Sequence, residues 1–227
     1  MSKKKQDGFS GSVRFDVEIR SGNVDIQEVG FANRIDHSGK AWDALFLLEG
    51  GIGWEGGDRF SNEGLVHLRQ IYKANERLRP ELFVQADYNK KRRLDFRGLV
   101  GGGLRLQLVQ RDRMLLWWGS SYMLEHEEVE VQAGDPHPDK VTVHRWSNYI
   151  SAKSQFNERV QGTWTGYLQP RLNRFEDIRI LTEARLGVEL SRDLTLEVSF
   201  RLRYDSEPPQ GIESVDYLLK NGLAFRF

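Results

Sequence analysis

Apolar and polar residues alternate along most of the chain with a period of two. In the closing stretch, Tyr217, Leu219, Leu223, Phe225 and Phe227 lie on one side of an extended chain, and the residues between them are mainly charged or small. The same alternation recurs in segments 13–20, 42–54, 96–108, 178–190 and 194–204. A period of two predicts β-strands with one apolar and one polar face. No segment shows a convincing helical period.

Two kinds of connection alternate between these segments. Short polar turns occur at 37–40, 75–77, 111–113, 157–159 and 191–193, and more variable connections at 21–23, 56–62, 89–93, 125–140, 174–177 and 206–212. Short turns at one end and longer loops at the other are typical of an up-and-down membrane barrel. We therefore predict an all-β fold, an antiparallel transmembrane β-barrel of about 12 strands over residues 11–227, preceded by a tail over 1–10. An even strand number places both termini at the short-turn end.

Alternation alone does not say which face is buried. A soluble lipocalin-like barrel that binds an apolar ligand would turn its apolar face inward, whereas a membrane barrel turns it toward lipid. A twelve-stranded ring encloses more space than eight strands do, so an apolar interior would be hard to fill. Trp42 and Trp54 bracket one apolar row. Twelve residues at about 3.3 Å each span roughly 28 Å of height at a tilt of about 45°, close to a membrane thickness. These features favour the membrane barrel.

Aromatic residues at the ends of the strands predict where the membrane interfaces lie. Trp42, Trp54, Tyr217, Phe225 and Phe227 are expected there, because aromatic rings tolerate contact with both lipid and water. The terminal Phe227 also resembles the carboxy-terminal signal of bacterial outer-membrane proteins, which implies outer-membrane lipid and the barrel-assembly machinery as partners. The alternative is an ordinary amphipathic edge strand.

Composition excludes several classes of protein. The 33 basic and 33 acidic residues balance, so nothing favours nucleic acid as a partner, and the absence of cysteine excludes disulfides and thiolate sites. Residues 1–7 look like the basic start of a signal peptide, but no apolar region follows. Either there is no export signal or the chain is a mature form. We expect the second, with location in the bacterial outer membrane after signal removal.

Charged residues on the polar face of the first and last strands form the main candidate site. These lumen charges are Arg14, Asp16, Glu18, Glu183, Arg185, Glu197, Arg201, Arg203, Asp216 and Lys220. Since the first strand must pair with the last to close the barrel, they should fall on adjacent walls. One interpretation is a salt-bridge network that fills the barrel, favoured slightly by the even mixture of signs. The other is a narrow solute path with selectivity set by charge.

Other patterns give weaker signals, and we expect no enzyme activity, cofactor or metal site. The acidic loop over 125–140 lacks the spacing of a calcium loop. A lipid hydrolase would need a serine on the face of His144 and Asn148, but Ser147 points the other way. The glycines over 98–103 lack the helix of a phosphate-binding loop, and we interpret them as sites of close packing.

Three motifs resemble a domain-of-unknown-function family described as salt-induced outer-membrane β-barrel proteins. They are the segment SGNVD at 21–25, DFR at 95–97 followed by GGGL at 101–104, and RYDSEPP at 203–209 followed by Asp216 and the terminal Phe227. The third motif is the most specific. Arg105 stands where the family often has glycine and tyrosine in this stretch. The resemblance covers nearly the whole chain and implies an outer-membrane barrel without a defined activity.

The sequence leaves the function of such a barrel open. A narrow passive channel for small solutes or an envelope and salt-stress protein is the first hypothesis. A closed structural barrel, and a barrel that acts through the surface loop at 125–140, are the alternatives.

Overall fold

The protein is a closed barrel of twelve antiparallel strands, each paired with its neighbours in sequence, and β1 paired with β12. The computed structural model describes residues 7–20 and 26–227, without the side chains of 18–20 and 226. The strands are β1 (Gly8–Arg20), β2 (Ile26–Ser38), β3 (Trp42–Glu55), β4 (Asp58–Tyr72), β5 (Leu78–Asn89), β6 (Leu94–Arg111), β7 (Met114–Val129), β8 (Lys140–Gln155), β9 (Val160–Arg171), β10 (Arg174–Glu189), β11 (Leu194–Asp205) and β12 (Val215–Arg226). The predicted fold class and strand number are confirmed.

The barrel closes through a short seam between its first and last strands. β1 and β12 align over four residue pairs, from Ser12 opposite Arg226 to Phe15 opposite Leu223. Beyond them, the backbone N–H of Gly11 donates to the carbonyl of Phe227 at 3.0 Å, and the N–H of Phe227 donates back at 3.1 Å. A Cβ atom on Gly11 would lie 2.5 Å from the Phe227 ring, so glycine makes room for the terminal aromatic side chain.

Two of the predicted longer connections are tight turns. The expected loop over 56–62 is a two-residue turn, because Gly56 and Gly57 take φ values of 58° and 95° and strand pairing resumes at Asp58. The expected loop over 174–177 also belongs to a strand, since β10 begins at Arg174 after a turn at 172–173. A register shift between Arg174 and Ile178 interrupts the alternation there and made this segment look like a loop. The predicted connection at 21–23 lies outside the described residues.

Three connections at the loop end of the barrel contact each other. They are the segment around the 3-10 helix Lys90–Arg92, the loop over 130–139 and the loop over 206–214. Arg93 donates from Nη1 to the carbonyl of Gln210 at 2.9 Å and accepts at its own carbonyl from Glu130 N–H at 2.8 Å. The N–H of Gln210 donates to Asp135 at 2.9 Å. The loop over 130–139 is shorter than the predicted connection at 125–140, because residues 125–129 continue β7.

The wall of the barrel is apolar outside and charged inside. Large apolar side chains such as Phe15, Leu82 and Leu219 have 58%, 65% and 67% of their surface exposed on the outer face, whereas Arg145 and Glu125 are 2% and 1% exposed. A soluble barrel for an apolar ligand would show the reverse arrangement, so the lipocalin-like alternative is wrong. No helix in the described part of the chain is long and apolar enough to cross a membrane.

Candidate functional site: the barrel lumen

The charged side chains face the lumen because they alternate with apolar residues along each strand. The register between neighbouring strands then places charges of opposite sign side by side. On β10 and β11, Glu183 lies directly opposite Arg201, and Arg201 Nε donates to Glu183 Oε1 at 2.7 Å. Every second residue of each strand points the same way, so the charged row seen in the sequence becomes a charged inner surface. The charged interior therefore depends both on the alternation of side chains within each strand and on the pairing of charges between strands.

Glu49 on β3 connects two arginines from the far side of the barrel. Arg201 donates from Nη2 to Glu49 Oε2 at 2.9 Å, and Arg185 Nη2 lies 3.6 Å from Glu49 Oε1. These contacts join β10 and β11 to β3, so they cross the lumen. Glu49 is not among the predicted lumen charges, although it alternates with the apolar residues Phe46, Leu48 and Ile52 of its strand and so faces inward.

The first strand holds a second group of ion pairs. Arg14 donates from Nη1 to Glu197 at 2.5 Å, and Lys220 donates to Asp16 Oδ2 at 3.1 Å. Arg14 Nε also lies 3.6 Å from Asp16 Oδ1. Pairing of β1 with β12 places these charges on adjacent walls.

A more deeply buried network fills the side of the lumen formed by β7, β8 and β10. Arg145 donates from Nε to Glu125 at 2.8 Å, and its Nη1 lies 2.9 Å from Asp177. Arg179 binds Glu125 and Glu127, each at 2.7 Å. Sequence reasoning placed Glu125 and Glu127 in a loop, although their spacing of two continues the alternation of β7 and could have shown that they face inward.

Aromatic rings and glycines complete the packing on this side. Tyr149 donates its hydroxyl proton to Glu81 at 2.9 Å, and the Arg69 guanidinium lies 5.4 Å from the centres of the Phe83 and Tyr149 rings. A Cβ at Gly101 would lie 2.4 Å from Phe83, and one at Gly119 only 2.1 Å from Tyr149. At these two positions glycine admits an interior ring, as the close-packing interpretation of Gly101 predicts.

We name the two sides by how completely they are filled. The packed half contains the inward side chains Glu81, Phe83, Met123, Glu125, Glu127, Arg145, Ser147 and Tyr149, all less than 9% exposed. The open half contains Arg14, Asp16, Glu49, Glu183, Arg185, Glu197, Arg201 and Lys220, whose side chains are 13–30% exposed.

A polar cavity lies along the open half. It has about 700 Å³ of empty space, counted with the solvent it opens to, and the centre of a water molecule can occupy about 60 Å³ of it. That is room for about four waters. Its lining includes Arg14, Asp16, Glu49, Glu63, Asp87, Arg92, Glu183, Arg185, Arg201, Arg203 and Lys220. As it stands, the cavity admits water and small ions.

Two predicted lumen residues, Arg203 and Asp216, remain outside these ion pairs. Arg203 lines the cavity and lies opposite Asp216 in the register of β11 and β12. Neither residue forms an ion pair within the described part of the chain. The side chain of Glu18 lies outside the described residues.

The predicted interface aromatics lie on the outer wall with different exposures. Tyr217, Phe227 and Phe225 are 73%, 69% and 53% exposed, and Trp42 is 41% exposed. Trp54 is half-buried and follows a register shift after Gly53. Their position at a membrane interface stays a prediction.

The side chains weighed for hydrolysis lie on opposite faces of the wall. His144 is outside, where its Nδ1 lies 2.5 Å from the Tyr122 hydroxyl, whereas Ser147 is buried inside and accepts from the Gln169 amide at 3.0 Å. The serine and the histidine are therefore not brought together. Among residues 7–20 and 26–227, no group of three or more His, Cys, Asp or Glu side chains is placed to hold a metal ion.

A closed barrel with an apolar outer wall and a charged interior has the architecture of bacterial outer-membrane β-barrel proteins. The chain belongs to the family described as "Protein of unknown function, DUF481", whose model matches residues 13–227. This confirms the family resemblance, while the salt induction stays a prediction. No curated protein matches the chain.

Solved structures show the same fold at low sequence identity. The NanC porin matches with a TM-score of 0.51 and 12% identity, covering 96% of this chain and 97% of that one. A bacterial polysaccharide outer membrane secretin matches with a TM-score of 0.50 and 7% identity, with the same coverage of both chains.

Proposed function

We propose that the protein resides in the bacterial outer membrane and gives small hydrophilic solutes a narrow passive path through the open half of its lumen. The observation that carries this proposal is the polar cavity, along which the charged side chains of the open half stay 13–30% exposed. Charges of both signs line it, so selectivity would depend on small imbalances between them. No chemical step is part of this proposal.

The same proposal gives the barrel an orientation. The loops over 130–139 and 206–214 face the cell exterior, and the turns at 75–77, 111–113 and 191–193 face the periplasm, as in other outer-membrane barrels with long outer loops. The chain reaches the membrane after removal of a signal peptide, and its last strand engages the barrel-assembly machinery. A tag inserted after Gly134 should be labelled on intact cells. Labelling that appears only after lysis would reverse the orientation.

Planar-bilayer recording tests the path directly. The wild type should conduct in small, ohmic steps, and replacing Arg185, Arg201 and Arg203 together by Ala should widen the path and shift ion preference toward cations, because positive lumen charge is lost. A matched triple replacement of the turn residues Arg113, Arg159 and Arg192 by Ala should leave both unchanged. Absence of conductance in a correctly folded wild-type barrel would contradict the channel proposal.

A closed structural barrel is the second candidate function. The ion pairs that cross the lumen between β3 and the pair β10–β11 favour it, because they brace opposite walls and obstruct the path. In that case the triple replacement would lower the thermal stability of the barrel without opening a conductance.

A further inference from the structure

The geometry points to an anion-binding site in the cavity of the open half, formed around Arg203 and Arg92, that takes a small oxyanion such as phosphate, sulfate or a carboxylate. This inference rests on the proposed function for its biological role, but binding itself is measurable in a barrel that does not conduct.

Arg203 is the residue around which the site forms. Its side chain lines the cavity, and it makes no ion pair with any carboxylate in the described part of the chain. Three other cations, Arg92, Arg201 and Arg97, act on it. The carboxylates that oppose them are Asp87 and Glu183. An inward-facing guanidinium held among like charges is stabilised by an anion that can approach all of them.

The carboxylates around the cavity do not supply that anion. Six cationic and five acidic side chains line it, which leaves one net positive charge. Glu49 is held by Arg201 and Arg185, Asp16 by Lys220, and Asp87 by Arg97 at 3.0 Å. The remaining two are also engaged: Glu183 by Arg201, and Glu63 by the amide of Asn89 at 2.5 Å.

Arg92 contributes a second unmatched donor. It extends from the 3-10 helix to the cavity, where its nearest carboxylate oxygen, on Asp87, is 3.7 Å away. Its Nε–H is buried and has no hydrogen-bond partner among the described residues. A buried donor without a partner costs free energy that a bound oxyanion would recover.

The chemistry of these groups selects the ligand class. A guanidinium presents a planar fork of N–H donors that matches the oxygens of carboxylate, phosphate or sulfate. The space open to about four waters suits a small oxyanion and excludes an oligomeric one without movement of the side chains. A chloride ion would satisfy charge but could not use the fork.

Thermal unfolding of the detergent-solubilised barrel tests the site, followed by tryptophan fluorescence. Sodium phosphate, sulfate and acetate are titrated separately at low millimolar concentration against chloride at constant ionic strength. We expect Tm to rise with the logarithm of the anion concentration above the Kd, by about 5–10 °C at a concentration a hundred times the Kd. The three arms distinguish a phosphate or sulfate site from a carboxylate site. A rise that is linear in concentration, without the logarithmic dependence of binding, would reflect general salt exclusion and would overturn the proposal.

Variants locate the effect. Arg203→Gln should abolish the logarithmic rise in Tm, and Arg203→Lys should weaken it, because lysine keeps the charge but lacks the planar fork of donors. Arg192→Gln, an exposed turn arginine with 95% side-chain exposure, is the matched control and should keep the full response. If Arg203→Gln does not fold, Arg92→Gln takes its place. An unchanged response in the variant that folds would overturn the site.

Failure of this inference differs from failure of the proposed function. Stabilisation by the anion in a barrel that does not conduct would support the anion site and contradict the channel. Conductance without a logarithmic anion effect on Tm would support the channel and contradict the site.

Discussion

The packed and open halves of the lumen are built from the same residue types and differ in what surrounds the charges. In the packed half, Arg145 is 2% exposed and is enclosed by Glu125 and Asp177. In the open half, Arg201 also binds two carboxylates, Glu183 and Glu49, but its side chain stays 22% exposed.

This difference indicates that ion pairs have two roles in one barrel, stabilising the fold in one half and contacting solutes in the other. Where water is excluded, a charge must keep its partners, because an unpaired charge there is very costly. Where water has access, water molecules can solvate a charge that has lost its partner, so the loss costs less free energy of folding. The packed half is therefore suited to stability, and the open half to contact with solutes.

The largest expected effect is the loss of the central cation of the packed half. Arg145→Met should lower the free energy of unfolding by about 3–5 kcal/mol, because Glu125 and Asp177 would be left buried with one partner fewer. Arg201→Met in the open half should cost about 1 kcal/mol. Urea unfolding in detergent, followed by tryptophan fluorescence, measures both. Equal losses would contradict the distinction between the two halves.

A pair of glycine substitutions tests the packing difference without removing charge. Gly119→Ala should destabilise by about 1–3 kcal/mol, because the new Cβ would lie 2.1 Å from the Tyr149 ring. Gly51→Ala is the matched inward-facing control in the open half, where the nearest atoms lie 3.4 Å away on Glu63. It should change stability by about 0.5 kcal/mol or less. The same unfolding measurement applies, and a larger loss at Gly51 would reverse the assignment of the halves.

Neutralising Glu49 should change the ion preference of the open half. Glu49→Gln releases Arg185 and Arg201 from a shared carboxylate and adds net positive charge to the open half, so the reversal potential in a salt gradient should shift toward anions. The exposed turn residue Glu158→Gln serves as the control and should leave the reversal potential unchanged. An unchanged reversal potential would show that the path does not pass Glu49.

The smallest expected effect concerns the loops above the barrel. Backbone N–H groups of His137 and Gln210 donate to Asp135 and hold the pKa of its carboxyl below the usual range. Because the folded pKa is lowered, this contribution is present above the unfolded value of about 3.9 and is lost as pH falls through the folded pKa.

Hydrogen exchange over 206–214 measures this contact. Exchange should accelerate as the pH falls below about 4, after correction for intrinsic rates. Asp135→Asn should accelerate it already at neutral pH and remove the acid dependence. An acid dependence that persists in Asp135→Asn would assign it to another group.

Sequence alone determined the barrel, because the evidence for it is local. Period-two alternation, turn residues and strand lengths are properties of short segments, and they gave twelve strands, a charged inner face and an apolar outer face from stretches such as 194–204 and 217–227. The errors were local as well. The pattern predicts a longer loop where Gly56 and Gly57 form a two-residue turn, and it predicts a connection where Glu125 and Glu127 continue β7.

Only the tertiary structure decided which charges meet and where space remains. Glu49 contacts Arg185 and Arg201 across the lumen, although more than 130 residues separate them along the chain. Arg203 has no such partner among the described residues, although its sequence pattern is the same as that of Arg201. Strand tilt, closure and the bulk of facing side chains set these distances, and no short stretch of sequence contains them, because each is a property of the closed ring as a whole.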